Sequence, residues 1–410
     1  MRLLVISQFF PYPPYNGGRM RAYQLIRGLS KRHTVHLVAF SASDDDLRYV
    51  DVLQSFCEQA HVAHDRRTAI RSLKGAVGLL SPAPRSYVAA WNPEVKVLVD
   101  RLVDGGGYDA AIAFGLRNGP YLRSCRGIAR IIDNDNCDTE YIARSAAQLT
   151  SRLLRFRRKL TWAKSRRYEA RLAPRFDAAL VVSQEDASAL GGIAPALAAR
   201  GAIHVIPNGA DLVLLDYRGP EVDCRQIIFT GALTYSANLD AAVYFVREVF
   251  PAIKSRIADA HLVITGSVEG VDVSLFRNRP DVRLTGRLED VRPEIARSGV
   301  VVVPTRVGGG TRLKVLEAMA LGTPVVATSF GAMGLGVEHG HNILIGDTPG
   351  EFAEQVCRLI ESSELRAVMA ANGREFVRER YGWDGIVDRL DRVIETTVES
   401  VRGGEECRIA

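Results

Sequence analysis

No run of about 18 apolar residues occurs in this 410-residue chain, so no helix is expected to cross a membrane. There is no CxxC pair among its six cysteines, Cys57, Cys125, Cys137, Cys224, Cys357 and Cys407. Scattered in this way, they read as free thiols of a reducing cytoplasm and argue against a disulfide framework or a zinc site. Histidine does not supply a metal either. His61 and His64 read as sharing a helix face and His339 and His341 flank a glycine, but neither pair has cysteine or carboxylate partners at ligand spacing. MRLLVISQFF at the N-terminus lacks the longer apolar core and small-residue cleavage site of a signal peptide, and reads as a strand. No GxGxxG sits at the first strand and no GxxxxGK[ST] occurs, which disfavours nicotinamide chemistry and a Walker loop.

What is present is a strand–helix alternation in a chain long enough for about two domains. Hydrophobic content of 47% and charged content of 24% suit a soluble globular protein. Short apolar runs at Leu3–Ser7, Val35–Ala39, Ala110–Phe114, Arg130–Asp133, Ala179–Val182 and His204–Ile206 are separated by helical stretches such as Met20–Ser30 and Ser151–Arg171. The pattern restarts at Gln226–Thr230, His261–Thr265, Val282–Thr285, Val300–Val303, Pro324–Thr328 and Asn342–Ile345. Continuous apolar strands spaced by helices mean parallel sheets covered on both faces, so the chain reads as two doubly wound α/β domains. The turn signal Pro207-Asn208-Gly209 opens an aperiodic stretch ending at Pro220, which places domains at 1–206 and 221–385 joined by a linker at 207–220. An amphipathic helix over 386–402 is expected to complete the first domain, and Gly403–Ala410 to fray.

The net charge of +6 is unevenly spread. Residues 151–177 carry ten arginines and lysines against Glu169 and Asp177, with Leu153, Leu154, Phe156, Leu160, Trp162, Tyr168 and Leu172 interleaved at helical spacing. Such a helix is either a solvated basic face or a surface for anionic lipid headgroups. No recognition module for nucleic acid accompanies the charge.

The densest signal is Val300–Thr328: a buried strand, the loop Gly308-Gly309-Gly310-Thr311, a helix, a Gly-x-Pro turn and a second buried strand. Glycines let backbone amides approach a ligand at a helix start, an anion site to which Arg312 and Lys314 add charge. Glu317 follows on the helix, where a carboxylate can accept two hydrogen bonds from a cis diol. Further glycines at strand ends, Gly17-Gly18, Gly231, Gly266 and Gly286, suit the same kind of cleft.

These residues, in this order, resemble the retaining, nucleotide-sugar-dependent glycosyltransferases of family 4. Gly17-Gly18, the stretch Val181–Asp186, Pro207-Asn208-Gly209-Ala210-Asp211, Gly286–Asp290 and Leu316–Ala327 match that family's motifs across nearly the whole chain. The resemblance implies a GT-B architecture of two facing Rossmann-like domains, a nucleotide-diphosphate sugar as donor substrate, a glycan or lipid-linked acceptor, no cofactor and no metal. It implies that Glu317 holds the donor ribose and that the Arg287 region lies against the base.

The departures are specific. The family has a second glutamate eight positions earlier, against the donor sugar; here that position is Gly309. Its phosphate-binding Arg and Lys should fall near Ala232 and Asn238, and both are replaced. A diphosphate without cations binds weakly in a low-dielectric cleft. The charge is therefore expected to have moved to Arg312 and Lys314, with Gly231, Tyr235, Gly309, Gly310 and Thr311 lining the donor site. In the first domain Asp133-Asn134-Asp135 has the letters DxD where the family often has a histidine. Asp133 and Asp135 are candidates to orient the acceptor hydroxyl or contact the donor sugar, and turn or helix-cap duty explains them equally well. A nucleotide-sugar epimerase of the same fold and a degenerate carbohydrate-binding protein remain alternatives to the transferase.

Overall fold

The computed structural model describes residues 1–64, 81–135, 139, 142–143, 151–307 and 312–409, with side chains as far as Gly403. The chain divides into two compact units, Met1–Asn208 with Trp383–Ala410, and Gly209–Gly382. No helix among the described residues is long and apolar enough to cross a membrane.

The first unit is built on a seven-stranded sheet. Its strands are β1 (Arg2–Ser7), β2 (Thr34–Ser41), β3 (Gln59–His64), β4 (Ala110–Phe114), β5 (Ala129–Asp133), β6 (Ala178–Val181) and β7 (Ile203–Val205). They run in the order β3-β2-β1-β4-β5-β6-β7, and every pairing is parallel. Leu3, Leu4, Val5 and Ile6 of β1 are all fully buried because both faces are covered. Leu3 and Val5 pack with Leu25, Ile26 and Leu29 of helix α1 (Gly17–Ser30), while Leu4 and Ile6 pack with Val95, Val99 and Tyr121. That double covering is the physical cause of the unbroken apolar run.

The long helix α4 (Trp383–Ile409) belongs to this unit. Ile386, Leu390, Ile394 and Val398 recur every four residues and are buried on the face that shares a core with α1 and β1. Burial of each is worth about 1.5–3 kcal/mol. At the other end of α1, Arg32 pairs with Asp388 and Asp391, and His33 Nε2 lies 2.7 Å from Asp391. The helix begins three residues before the expected 386, and the tail expected to fray continues it to Ile409.

The second unit carries β8 (Asp223–Thr230), β9 (His261–Thr265), β10 (Val282–Gly286), β11 (Ser298–Val303), β12 (Val325–Ala327) and β13 (Leu344–Ile345), all parallel, in the order β10-β9-β8-β11-β12-β13. In both sheets the strand order reverses beside the first strand, between β1 and β4 and between β8 and β11. Crevices at such reversals, outside the carboxyl strand ends, are where doubly wound sheets take ligands.

Two expectations are corrected here. His61 and His64 do not share a helix face: both lie on β3, three residues apart and so on opposite faces of a strand. This strand escapes a hydrophobicity reading because it is an edge strand, its residues half-buried or exposed. The join between units also falls more sharply than a linker at 207–220. Asn208 stays with the first unit, where its side chain accepts from Arg21, and Ala210 already belongs to the second, its amide bound to the Tyr381 carbonyl at 2.8 Å.

Candidate functional site

Helix α3 (Leu313–Leu321) positions the charged groups of the second unit. Val315, Leu316 and Ala318–Leu321 are buried, which leaves Lys314 and Glu317 as half-buried polar positions three residues apart on one face. The helix is stopped by Gly322, whose backbone is left-handed (φ 79°). A Cβ there would also lie 2.5 Å from the Arg374 guanidinium, so no other residue ends the helix as cheaply.

Lys314 reaches across the crevice between β11 and β8. Its Nζ donates to the Thr230 carbonyl at 2.8 Å, at the carboxyl end of β8, and to Asn238 Oδ1 at 3.0 Å. Asn238 Nδ2 in turn donates to the Ala232 carbonyl at 3.0 Å, which turns the amide oxygen toward the ammonium. The Phe229 ring lies 5.0 Å from Nζ. Gly231 is required here twice over. Its φ is 141°, and a Cβ would stand 2.7 Å from Asn238 Nδ2 and 3.1 Å from Lys314 Nζ. Ala232 and Asn238 are the two positions at which the resemblance placed a phosphate-binding Arg and Lys. Lys314 puts its cation within hydrogen-bond reach of one of them.

Burial, reinforced by the charge of Arg312 and opposed by Glu317, brings Lys314 down to about 8. Burial raises Glu317 to about 7 against the pull of Lys314. Both groups thus change charge near neutrality. Lys314 is cationic below about 8 and Glu317 anionic above about 7, so both are ionised only in a narrow window.

The other donor-side residues are placed less closely together. Arg312 is buried, with Nε and Nη2 donating to the Phe330 carbonyl at 3.3 and 3.2 Å and its guanidinium stacked 4.8 Å over the Phe330 ring. Tyr235 is exposed at the start of the helix Ser236–Tyr244. Arg287 is exposed just beyond β10, without an ion-pair partner among the described residues. Gly309, Gly310 and Thr311 lie outside the described residues.

In the first unit Gly17 and Gly18 open α1, whose first turn is capped by Asn16 accepting from the Arg19 amide at 3.0 Å. A Cβ on Gly18 would meet the Phe9 ring at 2.5 Å. Asp133 ends β5 and is buried. It is 1% exposed, and both carboxylate oxygens accept from Arg21 Nε, at 3.2 and 2.9 Å. Burial raises its pKa, and the Arg21 charge opposes the rise. Arg21 Nη1 also donates to the Ile206 carbonyl at 2.9 Å and to Asn208 Oδ1 at 3.0 Å. Through Arg21, Asp133 tethers α1 to β5 and to the chain after β7. Asp135 is half-buried. Asn134 donates to Glu169 Oε1 at 2.9 Å, and Glu169, fully buried, also accepts from Thr139. Arg21, Asn238 and Phe330 were not singled out as site residues from sequence. Only Asn238 carried a local signal, as an amide at a position where a cation was expected.

The model described as Glycosyltransferase Family 4 matches residues 15–214, and the one described as Glycosyl transferases group 1 matches residues 224–362. They succeed one another along the chain, the first ending six residues past the Asn208–Gly209 join and the second lying wholly within Gly209–Gly382. Both halves of the chain resemble glycosyltransferases, the first of them those of family 4. The chain is 28% identical over 195 residues to an uncharacterized glycosyltransferase of Methanocaldococcus jannaschii, covering 47% of the chain and 53% of the relative. It is 34% identical over 163 residues to the phosphatidyl-myo-inositol mannosyltransferase of Mycobacterium leprae, covering 37% and 42%. The chain spans about half the length of the curated relatives it matches. The structure of Anabaena HepE in complex with UDP and glucose superposes on 97% of this chain and 100% of HepE, with a TM-score of 0.63 at 16% identity. The two parallel-sheet α/β units are those of the GT-B fold.

Proposed function

We propose that the protein transfers a sugar, with retention of configuration, from a nucleotide-diphosphate donor to a glycan or lipid-linked acceptor, without a metal. One observation carries the reading. Lys314 holds a cation against Gly231 and Asn238 at the β8–β11 reversal, with Glu317 one turn further along the helix. Charge develops on the departing diphosphate, so a fixed ammonium stabilises it where it forms. Glu317 accepts the ribose diol, and Arg312 adds to the positive field. The free thiols Cys57, Cys125, Cys224 and Cys357 fit a cytoplasmic enzyme working at the inner face of a membrane.

A panel of nucleotide sugars tests the reading, and UDP sugars are tried first because HepE holds UDP and glucose. Transfer to an acceptor supports it. A free epimerised nucleotide sugar would mean an epimerase, and binding without turnover a degenerate binder. Of UDP, GDP and ADP, the one carrying the donor's base raises the melting temperature most, through a stabilisation that grows with the logarithm of ligand concentration over Kd. A chelator is expected to leave the rate unchanged, and restoration of a lost rate by added divalent ions would refute metal independence.

The pH profile follows from the two titrating groups. kcat/KM reports the ionisations of free enzyme. It is expected to rise as Glu317 ionises through about 7 and to fall as Lys314 loses its proton through about 8. Lys314→Arg should remove the alkaline limb, because a guanidinium does not titrate there.

A further inference from the structure

We propose that the helix α2 (Arg152–Leu172) docks the protein on an anionic membrane and that the acceptor is carried by that membrane. The second half rests on the transferase reading; the docking does not.

α2 is held only toward its C-terminal end. Ser165, Glu169 and Leu172 are its buried residues, and fully buried Glu169 binds Asn134 and Thr139 just past β5. None of residues 151–160 is buried. On that stretch Leu153, Phe156 and Leu160 are 68%, 67% and 53% exposed. Spaced i, i+3 and i+7, they make one apolar stripe. Four of the eleven exposed large hydrophobic residues of the described structure sit on this one helix. Arg152 and Arg157 flank the stripe and Arg167 continues it. The helix's one carboxylate, Glu169, is buried, so its exposed surface carries only cations.

A solvated helix has no use for the stripe, and a nucleic acid would use the cations but leave the apolar side chains in water. A layer of anionic headgroups uses both: leucine and phenylalanine enter the acyl boundary while arginines stay at the phosphates. The anchor fixes which end of the unit meets the lipid. Asn134 follows the carboxyl end of β5, the end at which α1 begins with Gly17-Gly18 and at which doubly wound sheets bind ligands. At 1.5 Å per residue, Leu153 stands up to about 24 Å from Glu169.

Co-sedimentation of the full chain with vesicles is the test. Partitioning onto phosphatidylcholine vesicles with about 30% phosphatidylglycerol should exceed that onto pure phosphatidylcholine about tenfold or more and fall with salt. The triple variant Leu153→Ser, Phe156→Ser, Leu160→Ser should lose most of it while keeping the wild-type melting temperature and nucleotide-induced shift. Equal partitioning onto both vesicles, an unaffected triple variant, or binding to an oligonucleotide in place of vesicles overturns the docking. With labelled donor and vesicles of total lipid extract, label should enter the organic phase, and the triple variant should slow this. Label appearing only in water-soluble glycan overturns the lipid-borne acceptor. Nucleotide binding that fails in the wild type while vesicles still bind refutes the transferase reading alone.

Discussion

Lys314→Ala is expected to lower turnover about 100-fold or more, the usual cost of removing one preorganised donor from a site of developing negative charge. Two features make the loss large. The ammonium is fixed at 2.8 and 3.0 Å by a strand-end carbonyl and an amide, so it needs no reorganisation when charge forms. The positions from which the family resemblance would draw a substitute cation hold Ala232 and Asn238. Nucleoside diphosphate affinity should fall as well, since the charge also attracts the ground state. Lys31→Ala is the control: that lysine is an exposed partner of Asp384 in the other unit, and its loss should change neither quantity. Turnover and nucleotide affinity both unchanged in Lys314→Ala would remove this lysine from the site. Because alanine could also loosen the turn at Gly231, Lys314→Arg is the companion variant. It should keep much of the activity and lose the alkaline limb of the pH profile.

Asp133→Ala is expected to destabilise the protein by about 3–5 kcal/mol, because it leaves the Arg21 charge buried without its partner. Arg21 and Asp133 are each 1% exposed, so water does not replace the lost carboxylate. The melting temperature checks this directly. A carboxylate that oriented an acceptor would behave in the opposite way, since its alanine variant would melt like the wild type and fail only in turnover. Replacing both partners together, Arg21→Met with Asp133→Leu, should recover much of the stability, because an apolar pair of similar volume needs no desolvation. If the double variant melts below the single one, the Arg21 bonds to Ile206 and Asn208 matter more than the ion pair.

The contrast between these two residues shows how far the sequence could be read. The strands were legible wherever a sheet is covered on both sides, because burial on both faces leaves an unbroken apolar run, as in β1 and β11. The half-exposed edge strand β3 was not, since its alternating small and polar residues carry no such run. α3 and its Gly322 stop were legible as local patterns. The partners of Asp133 and Lys314 were not: Arg21 lies 112 residues from Asp133, and Asn238 lies 76 from Lys314. The DxD letters therefore suggested chemistry where the fold has an ion pair. The basic stretch announced a helix, but its one acidic residue gave no sign of being its buried anchor.

By itself the sequence determined two parallel α/β domains, their approximate limits, the resemblance to family-4 glycosyltransferases, and the absence at 232 and 238 of the phosphate-binding cations which that resemblance implies. These follow from local patterns of burial and from residues adjacent in the chain. Only the tertiary structure decided that a lysine on a different helix comes back to that vacant place, that Asp133 is buried against Arg21, and that α2 leaves its apolar stripe uncovered. Each of those outcomes depends on which side chains the sheet order brings together across tens of residues, and no local propensity records it.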